Sequence, residues 1–146
     1  MSRKWFALAA AVGSVMFIAG ISPAQDEKHS ETHKLMEKIS KKNNEIKKDV
    51  RTPANFEKAG AKKVAGKADD LIKLLQDARK QKESAEKQKK SYDDWTKLTD
   101  ATITAVEDFR KVAEKGNQAE AKKAFTSSVG AKCSDCHKVF RVEDDE

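Results

Sequence analysis

Residues 91–116 read SYDDWTKLTDATITAVEDFRKVAEKG, and this stretch has the most regular apolar pattern in the chain. Its apolar and small side chains recur at steps of three and four residues: Trp95, Leu98, Thr102, Ala105, Phe109 and Val112. That spacing places them on one face of an α-helix, because a helix turns once in about 3.6 residues. Gly116 is typical of the position just past a helix C-terminus. The stretch therefore predicts a helix from about Ser91 to Lys115 that buries one face.

Two helices of the same kind are predicted before this stretch. The first spans residues 30–50, and its inward face carries Met36, Ile39, Asn43, Ile46 and Val50. The second spans residues 53–79, with Thr52 as N-cap and proline at the first helical position. Its inward face carries Val64, Ala68, Leu71, Leu75 and Ala78, with Phe56 near its start. The polar segment Lys80–Lys90 is either a frayed helix end or a loop.

A fourth helix is predicted over residues 117–142, where Asn117 and Glu120 have the spacing of a capping box. It carries Ala121, Phe125, Val129, Cys136 and Phe140. Four amphipathic helices with short connections predict an all-α, antiparallel up-down four-helix bundle. A disordered chain and an extended coiled coil are the alternatives, and the helix caps favour discrete helices over both. Only 38% of the residues are hydrophobic and 37% are charged, so the apolar core is small.

The first 24 residues have the pattern of a secretory signal peptide. Arg3 and Lys4 precede an uncharged run over residues 5–21, and Ala24 ends a small-residue cleavage site. An uncleaved anchor helix is the alternative. Cleavage after Ala24 leaves residues 25–146 as one domain, exported most simply to a bacterial periplasm, without stable membrane association. The net charge of +6 is then no sign of nucleic-acid binding, since export separates the chain from nucleic acid.

The sequence Cys133-Ser134-Asp135-Cys136-His137 contains both cysteines of the chain. This C-x-x-C-H motif is the attachment pattern of haem c. Two thiols one helical turn apart bond to the two vinyl groups of one porphyrin edge, and the adjacent imidazole binds the iron as proximal ligand. A redox-active cysteine pair, a zinc site completed by His29 and His33, and a local disulfide are the alternatives. Covalent haem would enlarge the small core, so we expect the haem-free chain to fold poorly.

The opposite side of the iron has three candidate arrangements. The first and fourth helices are neighbours in an up-down bundle, so a side chain on the inner face of helix one approaches the haem. Met36 lies on that face and is the only methionine left after signal cleavage. His33, one turn earlier, competes with it. With neither bound, Leu35 or Met36 would form a wall and the iron would be open to small gases.

The whole mature chain resembles in architecture the class II cytochromes c, the cytochrome c′ family of four-helix haem proteins. The resemblance rests on the motif at 133–137 followed by Phe140 and Arg141. It implies one covalent haem c and a role for Arg141 near the haem propionates. Many members of the family dimerise through helices one and two, so a homodimer is left open here. Class I cytochromes c have the haem motif early and fit poorly.

The segment Thr32-His33-Lys34-Leu35-Met36 resembles the start of the low-spin, methionine-ligated branch of the family. The resemblance implies that Met36 is the distal ligand. The gas-binding branch usually has an arginine early in helix one, and this chain has none before Arg51 in its mature part. The sequence therefore favours an exported monohaem cytochrome that carries single electrons between redox partners. Lysines around the haem edge would attract acidic partners. A five-coordinate protein that binds NO or CO is the alternative, and no motif indicates an enzyme.

Overall fold

The computed structural model describes residues 30–141, and this range consists of helices and their connections without a β-strand. In chain order the helices are α1 (Glu31–Val50), α2 (Pro53–Ala59), α3 (Ala61–Arg79), α4 (Glu83–Lys87), α5 (Tyr92–Glu114), α6 (Gln118–Ala124) and α7 (Gly130–Phe140). One turn of π-helix, Phe125–Val129, joins α6 to α7. The predicted signal peptide lies outside the described residues. No helix within 30–141 is long and apolar enough to cross a membrane.

Side-chain caps define where four of these helices begin. The capping residues are Ser30 for α1, Thr52 for α2, Ser91 for α5 and Asn117 for α6. Each side-chain oxygen accepts a hydrogen bond from a backbone N–H two or three residues later, at 3.1–3.2 Å. A cap of this kind stabilises a helix by about 1 kcal/mol. The predicted starts at Thr52 and Asn117 are confirmed.

The second predicted helix is not continuous, and this prediction was wrong. Gly60 has φ of 81° and separates α2 from α3. Only glycine adopts this backbone region freely, and a Cβ at Gly60 would meet nothing within 4 Å, so the constraint is conformational rather than spatial. The segment Lys80–Lys90, predicted as a frayed end or a loop, contains the short helix α4. Ala85 of α4 is buried and fixes that helix to the bundle.

Helix α5 lies at the centre of the bundle and packs against α3, α6, the π turn and α7. Its predicted inner face is confirmed: Trp95, Thr102, Ala105 and Phe109 are buried, and Leu98 and Val112 are half-buried. Phe109 is fully buried and meets Phe125 with ring centroids 5.0 Å apart. Burial of such a side chain contributes about 1.5–3 kcal/mol. The core of the bundle therefore surrounds α5, and the all-α four-helix fold is confirmed.

Helix α1 packs mainly against α3. It packs against α2, α3 and α6, and makes few or no close backbone contacts with α7. At the α6 end, the side-chain amide of Gln118 donates to the carbonyl of Val50 at 2.6 Å. The first helix and the start of the predicted fourth helix are therefore neighbours, as predicted. Farther along the chain, α7 makes few or no close backbone contacts with α1.

Candidate functional site

The space between α1 and α7 is a cavity of about 1210 Å³. Sites for small molecules usually measure about 300–1,000 Å³, so this one has room for a large ligand. Residues of α1, α3, α4, α5 and α7 line it. Its apolar lining is Met36, Ile39, Leu75, Ala78, Trp95 and Phe140. A cavity of this size in a small domain leaves a large apolar surface without a packing partner.

All the site residues predicted from the sequence line this one cavity. Met36 lies on α1, while Cys133, Cys136 and His137 lie on α7, and Arg141 follows directly after α7. Met36 is half-buried and packs against the core. The sequence placed the thioether and the imidazole on two neighbouring helices of the bundle, the first and the fourth. The structure brings them to the same cavity from its two sides.

The π turn sets the direction in which the haem motif faces. Ala121, Phe125, Val129 and Cys133 follow one another at steps of four, and on a regular α-helix each such step drifts by about 40°. The wider turn takes up part of this drift, and the N–H of Gly130 bonds to the carbonyl of Phe125, five residues back. Both cysteines therefore reach the cavity while Phe125 and Val129 stay in the core. The wide turn was not predicted from the sequence, although the repeated steps of four are its signal.

The two thiols and the imidazole are neutral at neutral pH in the haem-free protein. Desolvation by burial raises the pKa of Cys133, and burial followed by the proximity of Cys133 raises the pKa of Cys136 to about 11. Both cysteines are free thiols. His137 is exposed as a whole, but partial desolvation of its imidazole lowers its pKa, and the positive charge of Arg141 lowers it further. Neutral imidazole is the form that binds a metal ion.

His33 also lines the cavity, but its surroundings differ from those of Met36. Its side chain is 47% exposed, and Nε2 lies 3.6 Å from the carboxylate of Glu37 one turn later. Within residues 30–141 no group of three or more His, Cys, Asp or Glu side chains is arranged to hold a metal ion. His29, the other partner in the zinc alternative, lies outside the described residues.

Three threonines line the cavity and were not predicted as site residues. Thr99 and Thr102 of α5 are buried, and their hydroxyls donate to backbone carbonyls one turn earlier, at 2.8 and 2.9 Å. Their hydrogen-bonding capacity is thus used within the helix. Thr32 of α1 is 6% exposed, and its Oγ1 has no hydrogen-bond partner among the described residues. Thr32 therefore contributes to the lining a buried hydroxyl that has no acceptor among the described residues.

Charged side chains surround the apolar lining. The basic residues are Lys41, Lys48, Lys87 and Arg141, and the acidic residues are Glu37, Glu45 and Glu83. Lys87 and Glu83 pair across one turn of α4 at 2.7 Å. Arg141 is exposed, and its side chain is available to the carboxylates of a ligand in the cavity. The rim is therefore mixed in sign with a slight basic excess.

The residues of the cavity fit a haem. The lining is apolar, two free thiols stand one turn apart on one helix, and an imidazole follows directly after them. A family model described as Cytochrome C′ matches residues 27–141. Comparison with curated proteins and with solved structures gives no match. The family binds one covalent haem c with its iron, and Cys133 and Cys136 are present for the attachment. The chain therefore belongs to the cytochrome c′ family and is a haem protein.

Proposed function

We propose that the protein is a one-electron carrier whose haem iron is held between His137 and Met36. Cys133 and Cys136 anchor the haem through thioether bonds, His137 is the proximal ligand and Met36 is the distal ligand. The observation that supports this assignment is the position of Met36 on α1, which lines the same cavity as His137 on α7. When bound, haem iron supplies a couple that gains and loses one electron.

The chain's own residues determine what such a couple does. A His and Met ligand pair raises the reduction potential, and burial among Ile39, Trp95 and Phe140 disfavours the extra charge of the oxidised state. A thioether on the distal side also leaves no open position for an exogenous ligand. Arg141 donates hydrogen bonds to haem propionates at the rim. These roles require no bound substrate, and we propose that the protein is not an enzyme.

The second candidate function is binding of NO or CO by a five-coordinate haem. The family match favours it, because cytochromes c′ typically bind these gases. Met36 would then form an apolar distal wall without contacting the iron, as a half-buried methionine commonly does in a core. The two candidates place the same side chain in the same cavity and differ in one bond, the one from sulfur to iron.

Replacement of Met36 by alanine separates the two candidates. For the electron carrier, Met36→Ala converts a low-spin spectrum to a high-spin one and opens the iron to CO. For the gas binder, the wild type is already high-spin and the substitution changes little. Leu35→Ala is the matched control, because Leu35 is half-buried on the same helix but does not line the cavity. A low-spin Met36→Ala protein would refute Met36 as the ligand and leave His33 as the competing residue.

We also propose that the protein acts in the periplasm after removal of residues 1–24. Members of the family are typically periplasmic, and haem c is attached after export. Its partners are then redox proteins, and the net positive charge of the chain favours acidic ones. Sequencing the N-terminus of the secreted protein tests the cleavage, and a mature chain that still begins at Met1 would refute it.

A further inference from the structure

Thr32 has a buried hydroxyl for which the described residues provide no partner. Its side chain lines the cavity, the residue is 6% exposed, and Oγ1 has no hydrogen-bond partner within residues 30–141. Thr99 and Thr102 line the same cavity, but both donate to a carbonyl of their own helix. A buried donor without a partner is costly, so its persistence indicates that an acceptor arrives when the cavity is filled.

Met36 is the side chain placed to bring that acceptor. It lies four residues after Thr32, so the two share one face of α1. Side chains on a helix lean toward its N-terminus, and a long side chain covers the turn before its own Cα. The flexible thioether of Met36 therefore extends over the turn that carries Thr32.

The neighbouring polar groups of α1 are engaged elsewhere. The Ser30 hydroxyl caps the helix by accepting from the N–H of His33. The His33 imidazole lies beside the Glu37 carboxylate and is largely exposed. A thioether sulfur has two lone pairs and accepts weak hydrogen bonds. One lone pair remains available after the other binds a metal ion, so the sulfur of a coordinated Met36 can still accept.

We propose that Thr32 is a positioning residue that donates its hydroxyl hydrogen to Sδ of Met36 when this sulfur is an iron ligand. The inference rests on the proposed function, because it requires Met36 to coordinate. The hydrogen bond withdraws electron density from the sulfur and thereby favours the reduced state. It also holds the thioether in the orientation that closes the distal side to other ligands.

The test compares Thr32→Val, which removes the hydroxyl at nearly constant shape, with Thr32→Ser, which retains it. In the haem-loaded protein we expect Thr32→Val to remain low-spin while its reduction equilibrium constant falls about threefold. This fall corresponds to a potential lower by about 28 mV, at about 59 mV per tenfold for one electron. The variant should also bind CO partially, whereas CO leaves the wild type unchanged. Thr32→Ser should match the wild type. Thr99→Val is the control, because that hydroxyl already bonds to the carbonyl of Trp95.

The outcomes separate this inference from the proposed function. A low-spin Thr32→Val protein that has the potential of the wild type and is equally unreactive toward CO would overturn the role of Thr32 and leave Met36 as the ligand. An equal shift in Thr99→Val or in Thr32→Ser would also overturn it, since the effect would then not require the Thr32 hydroxyl. A high-spin wild-type protein would overturn both.

Discussion

The rings of Trp95 and Phe140 meet edge to face, with centroids 5.2 Å apart and planes at 87°. Trp95 lies near the start of α5, and Phe140 ends the helix that carries the haem motif. The indole N–H of Trp95 also donates to the carbonyl of Ala78 in α3, at 3.0 Å. One side chain thus joins three helices along the wall of the haem cavity. Both aromatic residues are buried, so the wall they form is a fixed part of the core.

The hydrogen bond from Trp95 should stabilise the fold more than a similar bond at the surface. Trp95→Phe keeps an aromatic ring but removes this buried hydrogen bond, and we expect a loss of about 0.5–1.5 kcal/mol, because the N–H of Gln81 still donates to the carbonyl of Ala78 at 3.0 Å. Tyr92→Phe is the matched control, because its exposed hydroxyl donates to the carbonyl of Arg79 at 3.0 Å. Urea unfolding of the haem-loaded proteins measures both. Equal losses in the two variants would contradict the argument from burial.

Haem attachment should determine whether the bundle folds cooperatively. The double variant Cys133→Ser, Cys136→Ser cannot form thioethers, and the cavity of about 1210 Å³ then lacks its ligand. We expect a broad thermal transition at lower temperature, measured by circular dichroism. Ser134→Ala, an exposed change between the two cysteines, should keep both the haem and the sharp transition. A sharp, stable melt of the haem-free double variant would show that the chain folds without its cofactor.

The π turn should tolerate the loss of one residue. Deletion of the exposed Ser128 converts the turn to regular α-helix and leaves α6 and α7 in place, so we expect haem to remain attached. Deletion of Thr104, exposed on α5, is the control, because α5 has no wide turn and every later residue rotates by about 100°. Haem staining after denaturing electrophoresis reports attachment. Equal loss of haem in both variants would argue against the register account.

The net positive charge of the chain should affect electron transfer with charged reagents. We expect oxidation by ferricyanide, an anion, to slow several-fold as ionic strength rises from about 0.01 to about 0.15 M. The Debye length falls over this range from about 30 to about 8 Å, so attraction between the surfaces is screened. Oxidation by a cationic complex should show the opposite trend. Rates that do not change with salt would remove the argument for acidic partners.

The sequence predicted the helices and the haem motif because both are encoded by residues close together in the chain. The face of α5 from Trp95 to Val112 and the caps at Thr52 and Asn117 are examples. The break at Gly60 was not predicted. A glycine inside a helical pattern can continue the helix or end it with a positive φ, and the packing of α2 and α3 determines which of the two occurs. The hydroxyl of Thr32, which has no partner within residues 30–141, was not predicted either, since the burial and contacts of its neighbours are known only from the structure.

The central claim is that Met36 closes the distal side of the iron. The visible spectrum of the reduced, haem-loaded wild-type protein, recorded before and after addition of CO, tests this claim most directly. The account predicts sharp low-spin bands that CO leaves unchanged. A broad high-spin spectrum that CO converts would contradict it and would establish the gas-binding function in its place.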